Sequence, residues 1–185
     1  MKVSLAKGRK PLLTLVDMQR VPYAMQLFNQ TRSVGRAHKT IIQFAAENNI
    51  SILDVQLGSH IDEFPPIYSE IFSKINRNQY YQALKTTEDA FDGGYVIVEG
   101  GNNQPIQDFI QAQEINDLYI MGCEDSVCVK STVEGALRET EVEVYVDRSV
   151  NLPPSSGGDG AWSDIEDNER LHLIEKKGKG GCSIQ

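Results

Sequence analysis

The sequence predicts an α/β fold, a three-layer α/β/α sandwich with a mainly parallel, Rossmann-like central sheet. Three observations lead there. Short β-branched apolar runs bounded by breakers alternate with stretches of helical spacing, and such alternation requires right-handed crossovers and a sheet covered on both faces. The chain has 185 residues, 40% apolar and 24% charged, enough for one domain with a real core and short for two. No internal repeat or compositional break marks a boundary, so residues 1–185 are read as one domain.

Taken in order, Pro11–Val16 (PLLTLV) and Ile50–Leu57 (ISILDVQL) read as strands buried on at least one face. Between them, Thr31–Asn48 places Val34, Ala37, Ile41, Phe44 and Ala45 on one helical stripe. Tyr95–Val98 (YVIV) lies between Gly93-Gly94 and Gly100-Gly101 and reads either as a strand or as a brief excursion. Pro105–Ile115 is a helix by the spacing of Ile106, Phe109, Ile110 and Ile115. Leu118–Met121 and Val142–Val146 are strands, separated by an Ala/Val/Leu-rich helix over Ser126–Thr140. Asn151–Trp162 is a long loop rich in Pro, Gly and Ser. A short helix is expected near Ile165–Lys176, then a polar KKGKGGCSIQ tail that is mobile or ends in a short edge strand.

Composition excludes several classes. A net charge of −8 argues against a nucleic-acid partner. No run approaches the roughly 18 apolar residues of a membrane helix, so no membrane partner is expected. The first residues do not read as a signal peptide, and Cys123, Cys128 and Cys182 form no disulfide framework, so a reducing cytoplasm is the expected location. His38, His60 and His172 lie far apart and no HxH, HExxH or paired CxxC occurs, so no metal and no cofactor are expected.

In a parallel sheet, ligands bind where strands end at their carboxyl edge. Asp17, Gly58-Ser59-His60, Gly122–Cys128 and Asp147 follow predicted strand ends. Cys128 lies where a strand turns into a helix, and a thiol at a helix N-terminus has a lowered pKa and free N–H groups nearby for an oxyanion. The alternative is an inert buried cysteine. Asp17 is a base, or else a capping or turn aspartate. Lys85 is a desolvated cation, or else an ordinary surface lysine.

Three blocks relate these residues. LLTLVDMQ (Leu12–Gln19) resembles the opening strand of the isochorismatase-like cysteine hydrolases, with its Asp-x-Gln ending. Lys85–Phe91 (KTTEDAF) is similar to that family's Lys-x-x-x-(Ser/Asp)-Ala-Phe block, and Gly122–Val129 (GCEDSVCV) to its Gly-x-x-Thr-x-x-Cys-Val block. The likeness covers about residues 11–147. It implies an isochorismatase-type fold, with Asp17 as general base, Lys85 as the adjacent cation and Cys128 as nucleophile. It also implies an oxyanion hole from the backbone N–H groups of Glu124 and Cys128, and a cis peptide at Cys123-Glu124. Asp125 stands where the family usually has Thr, bringing a negative charge near the thiol unless it points away. The metal-using branch has Asp-x-His and a further His after the second strand; here that region reads VQLGSHIDEF with His60 alone, so no metal is carried over.

The resemblance implies a metal-independent cysteine hydrolase that cleaves a C–N bond of a small amide, carbamoyl or ureido substrate through an acyl-enzyme. A homo-oligomer is expected by the same analogy. Gln19, Tyr23 and Phe91 are candidate pocket residues, with Phe28, Tyr80, Tyr81 and Trp162 as further walls; the alternative for each is core or interface packing, and for Gln19 support of Asp17. Competing readings are a binding protein whose site has decayed, a vinyl-ether hydrolase using Asp17 without the cysteine, and a flavodoxin- or nucleotide-like binder. The last lacks a glycine-rich loop after the first strand.

Overall fold

In a computed structural model, residues 1–58, 64–98, 101–153 and 162–174 are described. The first strand, β1 (Pro11–Val16), is buried throughout and pairs in parallel with β2 (Ser51–Leu57) on one side and β6 (Asp117–Gly122) on the other. Beyond β2 come β3 (Tyr80–Lys85), parallel, then β4 (Tyr95–Val96) and β5 (Gln104–Pro105), both antiparallel. Beyond β6 come β7 (Glu143–Asp147) and β8 (Leu171–Ile174), both parallel. The strand order is β5-β4-β3-β2-β1-β6-β7-β8. The chain reverses its direction of growth at β1, so the crevice above β1 and β6 is the switch point where α/β sheets bind ligands.

Alternation along the strands divides the core in two. Leu13, Leu15 and Ile52 face α3 (Arg32–Glu47), whose Val34, Ile42 and Ala45 are buried against them. Short α1 (Lys2–Ala6), α2 (Pro22–Gln30) and α4 (Ser69–Phe72) complete that layer. Leu12, Val16, Leu53 and Val55 face the opposite cluster, formed with α5 (Ile106–Ala112) and α6 (Lys130–Glu139) through Phe109, Ile110, Val133 and Ala136. This is the α/β/α sandwich with a mainly parallel sheet.

Local chemistry explains the differences from expectation. The helix expected over Ile165–Lys176 is not formed where residues are described: Leu171–Ile174 is strand β8, because Leu171 and Leu173 alternate onto the α6-side core instead of following a helical stripe. Of YVIV only Tyr95–Val96 is strand. β3 and α2 went unread; β3 carries Tyr, Gln and Lys that pair inside the fold, so it lacks an apolar signature. The tail from 175 on lies outside the described residues.

Candidate active site

Three strand ends meet at the switch point. Asp17 directly follows β1 with φ of 52°, a left-handed conformation uncommon for a residue with a side chain, held by its N–H donating to the Val55 carbonyl at 2.9 Å. Lys85 closes β3 and is fully buried. Its Nζ lies 2.9 Å from Asp17 Oδ2 and donates to the Glu88 carbonyl at 2.9 Å. Cys128 comes from the turn after β6, and its half-buried thiol lies near enough to Asp17 and Lys85 for both to shift its pKa. The structure therefore brings Asp17, Lys85 and Cys128 together.

The turn carrying Cys128 begins with a close approach. Gly122 ends β6 where any Cβ would overlap the Val16 carbonyl, and the Cys123 N–H donates to that same carbonyl at 2.9 Å. The Cys123-Glu124 peptide is cis, Glu124 is extended, and residues Asp125–Val129 form a single π turn leading into α6. Glu124 caps the start of this turn and Cys128 lies within it.

The electrostatics reverse one expectation. A helix N-terminus was expected to lower the Cys128 pKa, but burial and the Asp17 carboxylate together push the thiol up to about 12, with Lys85 pulling only partly back. The resting site is a thiol facing a buried carboxylate–ammonium pair. The neighbouring Cys123 is buried and its thiol is pushed up further, mainly by burial.

Asp125 points away from the thiol. Its Oδ2 accepts from Arg148 Nε at 3.0 Å and Nη2 at 2.9 Å, and its Oδ1 accepts from Asn151 Nδ2 at 2.8 Å. Neither Arg148 nor Asn151 was singled out in the sequence, and only Asp147 was noted there. Asp147 instead accepts from Ser149 N–H at 2.9 Å and caps the short turn that carries Arg148.

The pocket candidates divide. The Gln19 side chain bonds the Leu57 backbone, accepting from its N–H at 2.9 Å and donating to its carbonyl at 3.4 Å, so it ties β1 to β2 and is not bonded to Asp17. Phe91 is 7% exposed and packs in the core beneath α5 and α6. Tyr23 falls in α2, with its side chain outside the described residues. Phe28 stacks edge-on against Tyr68, Tyr81 against Phe109, and Trp162 is buried over Arg148. Tyr80 donates to Asp54 Oδ2 at 2.7 Å, which also accepts from Gln56 at 2.6 Å; burial raises the Asp54 carboxyl to about 6.

His60 lies outside the described residues. Among the described residues no three His, Cys, Asp or Glu groups gather as metal ligands. No described helix is long and apolar enough to cross a membrane.

No protein-family model and no curated protein matches the sequence. Solved structures do resemble the fold. A nicotinamidase from Staphylococcus aureus superposes with a TM-score of 0.69 at 16% identity, over 90% of this chain and 98% of that one. An isochorismatase-like hydrolase from Alkaliphilus metalliredigens gives 0.62 at 13% identity, over 89% and 94%. An N-carbamoylsarcosine amidase from Thermoplasma acidophilum gives 0.54 at 16% identity, over 91% and 99%. The fold is isochorismatase-like.

Proposed function

We propose that this protein is a cysteine hydrolase that cleaves the C–N bond of a small amide, carbamoyl or ureido compound through an acyl-enzyme on Cys128. One observation carries the reading: the half-buried Cys128 thiol sits near a buried Asp17–Lys85 pair, Oδ2 and Nζ 2.9 Å apart, and both groups shift its pKa. A thiol, a base and a fixed cation together are the parts of nucleophilic acyl transfer. The nicotinamidase and carbamoyl-amidase structures on the same fold add support for the amide class.

The high thiol pKa sets the order of events. Asp17 removes the thiol proton as sulfur attacks the carbonyl carbon. The C–S bond forms, the carbonyl π pair moves onto oxygen, and the oxyanion is met by the Glu124 and Cys128 N–H groups. Asp17, now protonated, delivers that proton to the leaving nitrogen as the C–N bond breaks. A thioester remains and ammonia or an amine departs. Water then attacks the thioester, Asp17 taking its proton and returning it to the sulfur. Lys85 holds Asp17 ionised at rest and offsets the charge that moves to oxygen. Each positioned proton transfer contributes about 10²–10⁴-fold.

The test is an ammonia-release screen over small primary amides, carbamoyl and ureido compounds, with Cys128→Ala beside the wild type. Turnover that Cys128→Ala abolishes, with a mass increment on Cys128 in quenched reactions, supports the reading. Turnover that survives Cys128→Ala sinks it and favours vinyl-ether or other chemistry at Asp17.

A further inference from the structure

Asp125 is a full carboxylate, 1% exposed, three residues before Cys128. A buried carboxylate there is costly unless it is answered. The answer comes from the far side of the sheet's carboxyl edge, in the segment that follows β7. Arg148 meets one Asp125 oxygen with both Nε and Nη2, and Asn151 meets the other. The Asn151 side chain also accepts from the Gly122 N–H at 3.2 Å. The backbones bond in both directions, Asp125 N–H to the Leu152 carbonyl at 2.8 Å and Leu152 N–H to the Gly122 carbonyl at 2.9 Å. Arg148 is in turn covered by the Trp162 ring, 5.4 Å from its centroid, which keeps water from the pair. On the other side His38, from α3, is hydrogen-bonded to the Val150 carbonyl.

We infer that the Asp125–Arg148 ion pair is a clamp that positions the nucleophile turn: Arg148, delivered by the segment after β7, fixes the backbone presenting Cys128 and cancels the buried Asp125 charge on that turn. Arg148 meets the nucleophile turn through the Asp125 carboxylate, so it is a positioning residue. The pairing also gives the carboxylate at position 125 a physical place in a site that a bare charge there would oppose. The guanidinium is suited to the task, since two of its N–H groups converge on one oxygen in a fixed fork.

The inference rests on Cys128 as the nucleophile, but its test needs no turnover. The rate of iodoacetamide alkylation at Cys128, followed by peptide mapping at one fixed pH, is compared in wild type, Arg148→Met, Asp125→Asn and the double variant, with thermal melts alongside. An uncancelled buried charge on the nucleophile turn moves the thiolate population, and the accompanying change in nucleophilicity takes back about half of that on a logarithmic scale. The expected result is therefore a change in opposite directions. Arg148→Met, with Asp125 uncancelled, is slower; Asp125→Asn, with Arg148 uncancelled, is faster; the double variant falls between. Both single variants lower the melting temperature. Shifts of the same sign in both single variants, or lowered melting with unchanged alkylation, overturn the clamp and leave the pair as scaffold. If Arg148→Met fails to fold, Arg148→Gln takes its place with the same signs required. Failure of the ammonia screen alone would leave these rates untouched, so the two ideas fail separately.

Discussion

Asp17→Asn should accelerate one reaction of Cys128 while stopping another. The thiol sits at about 12 because burial and the Asp17 carboxylate disfavour the thiolate. Asn is nearly isosteric and removes the charge while keeping an oxygen for Lys85. A unit charge at contact range, about 4 Å, is worth roughly 4 kcal/mol at an effective dielectric of about 20. At about 1.4 kcal/mol per pH unit, the thiol falls by about three units. Thiolate at neutral pH then rises about a thousandfold, while the weaker base attacks roughly 20- to 30-fold less well, so alkylation by iodoacetamide quickens about 30- to 50-fold. Turnover, where Asp17 must accept and return a proton, falls by about 10²–10⁴-fold. The assays are peptide-mapped alkylation of Cys128 and ammonia release on the same preparation. Alkylation that slows or stays unchanged in Asp17→Asn would refute the argument, because the carboxylate would then not be what suppresses the thiolate.

Further outcomes follow from the same geometry. Lys85→Met leaves the buried Asp17 without its 2.9 Å partner and should cost about 3 kcal/mol in urea denaturation, on the scale of breaking a buried ion pair, together with loss of turnover; an unchanged midpoint would mean the pair does not hold the strand ends. Gly135→Ala gains up to about 1 kcal/mol of helix propensity, but its Cβ overlaps Asp89 Oδ1, which is bonded to the Phe91 N–H, so net destabilisation of about 1–2 kcal/mol is expected; a stabilised variant would show that Asp89 moves freely. His38 is buried between Tyr68 and the Val150 carbonyl, and burial lowers its pKa to about 4 from 6.5. Between those values the unfolded chain binds a proton that the folded one refuses, so His38 removes up to about 3 kcal/mol of stability as pH falls from 6.5 to 4. Asp54 does the reverse, since its folded carboxyl near 6 holds a proton the unfolded chain releases, and the two trends largely offset. The His38 contribution is read as the stability difference between wild type and His38→Gln, which should shrink across that window; a difference flat in pH would place His38 in contact with water.

The parts of the fold that were legible are those whose burial is written in local composition. β1, β2, β6 and β7 are continuous or alternating apolar runs because parallel strands bury both faces, and α3 shows its stripe because one face packs on the sheet. β3 was illegible for the opposite reason. Its Tyr80 and Gln82 belong to the hydrogen-bonded group around Asp54, and its last residue is a lysine that is fully buried against Asp17. A lone lysine reads as a surface charge, and only the likeness of the surrounding block marked this one out. Arg148 had no mark at all, because what makes it matter is a carboxylate on another loop.

The acidity of Cys128 shows where local reasoning stops. Strand, turn and helix start are visible in the sequence, and they predict a thiolate stabilised by free N–H groups. The dominant charge at that sulfur comes instead from Asp17, which arrives from the first strand and is invisible in any window around position 128. A thiol pushed up to about 12 beside a carboxylate is not a standing thiolate, and in the proposed mechanism it would give its proton to Asp17 during attack. In the proposed mechanism Asp17 would be the base for sulfur, the acid for the leaving nitrogen and the base for water in turn, with Lys85 as its 2.9 Å partner throughout. If this is how the site works, turnover depends on Asp17 far more steeply than thiol reactivity does, and the two must move in opposite directions when its charge is removed.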